Sequence, residues 1–145
     1  MNCISLWQPW ASLCCIPHPD DPSRSVKGFE TRYWQPNQRY CGELLIHAAQ
    51  RFDFDQIETC KSELFKEQLS MYYNRFQDLP LGAIVGKVRL VGFHKAENVQ
   101  SRLDKYAAAF GDYSMGRYAW EIVEPVLFGN KIPYKGKRRF FQVSL

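Results

Sequence analysis

The segment Lys27-Gly-Phe-Glu-Thr-Arg-Tyr-Trp34 sets a lysine, a glutamate and an arginine within six residues and threads aromatic residues between and after them. If Gly28 makes a turn and the chain then extends, successive side chains leave on opposite faces. Glu30, Arg32 and Trp34 then share one face, with Lys27 close enough across the turn to join them. Phe29, Thr31 and Tyr33 share the other face and are free to pack into a core. The same pattern admits two readings at this stage: a partly exposed ion-pair ladder on a strand edge, or a cluster assembled for a ligand.

The remaining segments predict a chain of short strands with a few helices between them. Residues 2–6 alternate like a first strand. A short helix is expected to start near Pro9, because proline suits the first helical turn, and to end by Ile16. The proline-rich piece from Ile16 to Val26 reads as a surface loop. Glu43 to Ala48 reads as a strand, with His47 near its end. The apolar spacing from Asp53 to Phe76 is roughly helical, with Asp53 or Asp55 as cap. Ala83 to Phe93 gives the clearest strand, 98–110 holds a short alanine-rich helix, and 118–123 forms a strand ended by Pro125. Phe140 to Leu145 forms the last strand. This order suggests an α+β chain built as a small mixed β-barrel with short helices at its rim.

With 145 residues, 46% hydrophobic and 23% charged, the chain is expected to form a single domain, 1–145, with one sizeable core. A net charge of +4 suits a nucleic-acid partner without requiring one. No apolar run reaches membrane-spanning length, and the N-terminus lacks the basic-then-apolar layout of a secretory signal. The five cysteines are odd in number and show no CxxC spacing, so free thiols in a reducing cytoplasm are expected, and no structural zinc. No cofactor is expected, and neither His18, placed in the loop, nor His94 has ligand-spaced partners.

Several separated motifs resemble the ASCH domain family of the PUA-like superfamily. Leu6-Trp7-Gln8-Pro9-Trp10-Ala11 is similar to that family's QPWA opening, and Lys27-x-x-Glu30-x-Arg32-x-Trp34 resembles its K-x-x-E-x-R-x-W element. Gly42 to Ala48, Gly82 to Val88 and Tyr118-Ala119-Trp120 resemble three of its strands, in the family's order. The resemblance implies a PUA-like β-barrel and a link to nucleic acid, as binder or as ribonuclease. A smaller relative hydrolyses the acetyl amide of N4-acetylcytidine, but it carries threonine where this chain has Glu30. The implied pocket lies between the N-terminal helix and the K-x-x-E-x-R element, with Trp7, Gln8, Trp10, Lys27, Glu30 and Arg32 in its wall. The family's short link between helix and lysine is here the longer 16–26 loop, expected beside the pocket as a lid or an obstruction.

The side-chain chemistry is consistent with either binding or catalysis. A desolvated Lys27 is a usable base or nucleophile, while a neighbouring Glu30 keeps it charged and is itself a general acid or base. A charged Lys27 with Arg32 makes an anion site. Trp7 and Trp10 either fill the core or stack a splayed-out base, with Gln8 offering its amide to a base edge. Trp34 is a third ring candidate, Trp120 is expected in the core, and His47 is either a satisfied buried histidine or a lining residue. The densest positive charge, Lys131 with Lys135, Lys137, Arg138 and Arg139, reads as a basic hairpin loop able to track a phosphate backbone, or as a solvated loop. The sequence therefore favours a domain that binds RNA or a nucleotide-like ligand, with DNA as the other nucleic acid. The alternatives are a small hydrolase using Lys27 and Glu30, and a module whose basic loop meets an acidic protein.

Overall fold

The computed structural model describes residues 1–145. Strand β1, Asn2–Leu6, leads through Pro9 into helix α1, Trp10–Cys15. Two strands follow, β2 at Pro17–His18 and β3 at Asp21–Arg32, and then β4 at Gly42–Ala48. Helices α2, Phe54–Cys60, and α3, Glu63–Leu69, precede the long strand β5, Ala83–Lys95. After two single 3₁₀ turns come helix α4, Lys105–Phe110, strand β6, Tyr118–Pro133, and strand β7, Phe141–Gln142.

The seven strands form one mixed sheet in the order β2-β3-β6-β5-β4-β1-β7. All pairs are antiparallel except β1 with β4. The ladder has two ends, and each is a strand of only two residues, β2 and β7. No hydrogen-bonded pairing joins them, so the sheet is not closed into the small mixed β-barrel expected. Short terminal strands leave few backbone groups exposed at an edge.

Helix α1 is the centre of the packing. Six residues are too few for an isolated helix in water, so its stability must come from tertiary burial. Ala11, Cys14 and Cys15 pack on the sheet against Leu44, Ile46, Val88 and Trp120, while Leu13 and Ile16 pack outward against Phe65, Leu69 and Phe110. The helix can lie this close because β5 carries glycine at position 86. A Cβ there would stand 2.2 Å from the Val126 carbonyl oxygen and 2.7 Å from Cys15 Sγ. Gly86 thus fixes the depth of α1, and with it the position of Trp10 at its first turn.

Several expectations need correction. The proline-rich piece is a β-hairpin, β2 with the start of β3, and not an irregular loop. Pro17 is tolerated because β2 is an edge strand, where a missing amide hydrogen costs no inner ladder bond. His18 is buried rather than in a loop, with Nε2 2.6 Å from Asp104 Oδ2. The apolar run 53–76 is two helices broken at Ser62 and ended at Leu69, with Asp53 as the first N-cap. Strand β6 continues past Pro125, because the pairing with β5 shifts between Arg89 and Lys87 and Glu124 takes φ 52° there. A proline seated at such a bulge removes no ladder hydrogen bond. The last strand is shorter than expected, and since β7 pairs with β1 and not with β6, the basic segment is a crossing connection rather than a hairpin.

Candidate functional site

In a regular strand Lys27 and Glu30, three apart, would face opposite sides. Gly28 prevents that. Its φ of 78° coincides with a shift in the β3–β6 pairing between Arg24 and Phe29, and the extra residues fold Lys27 back. Lys27 Nζ then donates to the Phe29 carbonyl at 2.7 Å and to Glu30 Oε1 at 2.9 Å. Arg32 Nε donates to the other carboxylate oxygen, Glu30 Oε2, at 2.7 Å, and its Nη2 donates to the Ser5 carbonyl of β1 at 3.0 Å. The last bond ties β3 to β1, two strands that are not neighbours in the sheet.

This trio is deeply set: Lys27 is 1% exposed and Glu30 is also buried. Burial pushes the Glu30 carboxyl up, but the charges and hydrogen bonds of Lys27 and Arg32 outweigh it and hold the group below its ordinary value. Both carboxylate oxygens are thus engaged by cations. The ammonium has three donors and the guanidinium five, and each has used two. The trio is left with about four N–H groups against about two free acceptor sites on the carboxylate, so it is chiefly a donor.

A cavity of about 430 Å³ opens over it. The end of β1 and the following turn supply Ser5, Leu6 and Trp7, and α1 supplies Trp10. Strand β3 supplies Lys27, Glu30, Thr31 and Arg32; the end of α4 and the residues after it supply Ala109, Phe110, Gly111 and Asp112; Arg117 precedes β6. Trp7 is 49% exposed at the mouth, with the Arg51 guanidinium 4.9 Å from its ring. Trp10 is half-buried and held edge-on by Phe65 at 6.2 Å. Arg117 donates from Nη2 to the Thr31 carbonyl at 2.9 Å, lies 3.6 Å from Asp112 Oδ2, and keeps a buried Nε that makes no hydrogen bond.

Of the residues singled out from sequence, Trp7, Trp10, Lys27, Glu30 and Arg32 meet in this cavity. Gln8, Trp34 and His47 do not line it. Gln8 is fully buried and serves α1: its Oε1 accepts from Ser12 N, and its Nε2 donates to Ser12 Oγ and to the Pro80 carbonyl. Trp34 packs edge-on against Trp120 and Phe140, and Trp120 lies in the core as expected. His47 is buried between Ser5 Oγ, 2.8 Å from Nδ1, and the Tyr134 carbonyl, 2.7 Å from Nε2. Burial pushes its imidazole down, only partly offset by the Tyr134 bond. The 16–26 hairpin contributes nothing to the cavity wall, so it neither lids nor fills it.

The basic residues Lys131, Lys135, Lys137, Arg138 and Arg139 are all exposed and none forms an ion pair. Their segment runs next to the cavity's own residues. A Cβ on Gly136 would lie 3.1 Å from Ser5 Oγ and 2.7 Å from His47 Cε1, and Arg139 stacks 4.6 Å over Trp34. Asp112 and Arg117 have no sequence signal that sets them apart. They reach the cavity through the β3–β6 pairing, in which Arg32 faces Tyr118 and Thr31 faces Ala119.

The chain is thus a mixed sheet packed on helix α1, with the cavity between β1, β3 and the end of α4. The sequence matches no family model and no curated protein. The fold does have a counterpart among solved structures: the crystal structure of a mutant of the ZmASCH protein from Zymomonas mobilis aligns at a TM-score of 0.52 and 13% identity, over 99% of this chain and 89% of that one. The chain therefore has an ASCH-type fold, as its sequence motifs suggest. No helix is long and apolar enough to cross a membrane.

Proposed function

We propose that this chain, acting as a single cytoplasmic PUA-like domain, binds RNA or a nucleotide-like ligand in the cavity over Lys27, Glu30 and Arg32. The observation that carries the reading is the hydrogen-bonding balance of the trio. Each Glu30 oxygen is engaged by a cation, while the larger number of spare N–H groups of Lys27 and Arg32 belongs to residues of the cavity wall. Such a donor-rich floor suits a carbonyl or phosphate oxygen, with Glu30 orienting the cations. Trp7 and Trp10 provide ring faces for the base, a contact worth roughly 1–3 kcal/mol per base. The unpaired charges of Lys135, Lys137, Arg138 and Arg139, beside Ser5 and Trp34, give the phosphate backbone a path away from the cavity.

The hydrolase reading is the weaker one. Lys27 Nζ already donates to the Glu30 carboxylate at 2.9 Å and to the Phe29 carbonyl at 2.7 Å, so both of its contacts engage it as a hydrogen-bond donor. The test is a titration of the purified protein with single-stranded RNA, the same sequence as DNA, and nucleoside monophosphates at two salt concentrations, with the RNA recovered for mass spectrometry. Salt-sensitive binding that falls in Lys27→Met and Trp7→Ala, with intact RNA recovered, supports the reading. Cleaved or altered RNA formed by wild type and not by Lys27→Met moves it to the hydrolase. Binding that neither substitution touches removes the cavity from the account.

A further inference from the structure

Tyr33, the residue after β3, is 68% exposed. It is not left to swing freely: the Arg117 guanidinium lies 4.2 Å from the centre of its ring. Arg117 is in turn anchored at the Thr31 carbonyl and near Asp112, and it forms part of the cavity wall. One face of Tyr33 is therefore held by a residue of the cavity, while most of the side chain is open to solvent. The mouth carries a comparable arrangement from another strand, where Trp7, next to the end of β1, has Arg51 over its ring. Two exposed aromatic rings thus each carry an arginine: Trp7 in the cavity wall after β1, and Tyr33 after β3, held by the wall residue Arg117.

The geometry points to Tyr33 with Arg117 as a second base-stacking platform, so that the ligand is a single-stranded oligonucleotide rather than a free mononucleotide. This rests on the cavity being a nucleotide site. One base enters the cavity by Trp7 and Trp10, and its neighbour in the strand lies on the open face of Tyr33. Stacking on a ring is tolerant of base identity, because every base has a π face. Arg117 holds the ring in place by cation–π contact and adds positive charge where the phosphate joining the two bases must pass.

The experiment compares wild type, Tyr33→Ala and Tyr33→Phe, each against adenosine and uridine monophosphates and against a short labelled single-stranded RNA, by calorimetry and fluorescence anisotropy. Thermal melts check the fold, which an exposed ring should leave unchanged. Tyr33→Ala is expected to weaken the oligonucleotide roughly 5- to 150-fold while leaving the monophosphates as they were. Tyr33→Phe, which keeps the ring face, is expected to restore oligonucleotide binding. Equal weakening of both ligands by Tyr33→Ala, no weakening of either, or failure of the phenylalanine to rescue would each overturn the platform. If wild type binds neither ligand, the cavity reading itself falls. That failure shows in the wild type, whereas failure of the platform shows only in the variants.

Discussion

Replacing Glu30 by alanine is the most direct probe of the buried trio. In wild type Glu30 bonds Lys27 Nζ at 2.9 Å and Arg32 Nε at 2.7 Å. Without it, Lys27 keeps only the Phe29 carbonyl of its two protein partners at a position that is 1% exposed. Removing one member of a buried pair typically costs about 3–5 kcal/mol, because the remaining charge is uncompensated. For a chain of this size that corresponds to a fall of roughly 6–20 °C in Tm. Arg32→Ala should cost clearly less, about 1–2 kcal/mol, since Arg32 is partly exposed and its loss leaves Glu30 paired with Lys27. The double variant Lys27→Met, Glu30→Leu should recover much of the loss, because two buried charges are removed together. Urea unfolding followed by tryptophan fluorescence reads all three as shifts in midpoint at constant slope. Glu30→Ala costing no more than Arg32→Ala, or a double variant no better than the single, would refute the account of the trio as a coupled buried charge set.

The pH dependence follows from the same group. Its folded-state carboxyl lies below the ordinary value of 4.5, so its contribution is present in full above about pH 4.5. It is lost as pH falls through the lower folded value, and Glu30→Gln should flatten that part of the acid limb. His47 has its folded imidazole below the ordinary 6.5, so stability should decline as pH falls below about 6.5, and His47→Gln should remove that slope in pH-dependent urea melts. Gly86→Ala should cost about 1–3 kcal/mol and weaken ligand binding by shifting α1 and Trp10, read by a melt paired with a titration. Lys135→Glu with Arg138→Glu should weaken RNA binding and reduce the salt slope by roughly 0.7 per lost phosphate contact, against unchanged thermal stability.

The charged half of the site was legible in sequence because it is local. Lys27, Glu30 and Arg32 lie in one strand, and a glycine, an alternation and three charges suffice to bring them together. The opposite wall was not, because Ala109 to Asp112 and Arg117 arrive by strand pairing across some eighty residues, and no local pattern encodes that. Polar side chains with internal partners misled in the same way. Gln8 sits between two tryptophans in sequence, yet the amides and hydroxyl it must satisfy around α1 and Pro80 draw it inward. The breaks were obscured by proline and by apolar spacing. Pro17 and Pro125 look like stops but occupy an edge and a bulge, and the run 53–76 keeps helical spacing through a helix end at Ser62.

These features converge on the division of labour within the trio. A lysine and an arginine placed side by side without a carboxylate would repel each other and, when buried, would be costly to keep charged. Glu30 makes the arrangement possible by bridging both, yet it has only two oxygens, and each accepts a single hydrogen bond from one cation. The net charge of the three is positive, so an incoming oxygen still meets a favourable field, and the donors it meets are already oriented by Glu30, Phe29 and Ser5. Preorganised donors cost little reordering when a ligand arrives. A site of this kind gains affinity from fixed geometry, which is why the glycine turn at Gly28 is as much part of the site as the charges it positions. An alanine there would keep an ordinary 3.6 Å contact with Ala107 but would have to hold φ near 78°, at a cost of about 1–2 kcal/mol, or release Lys27 from its pocket.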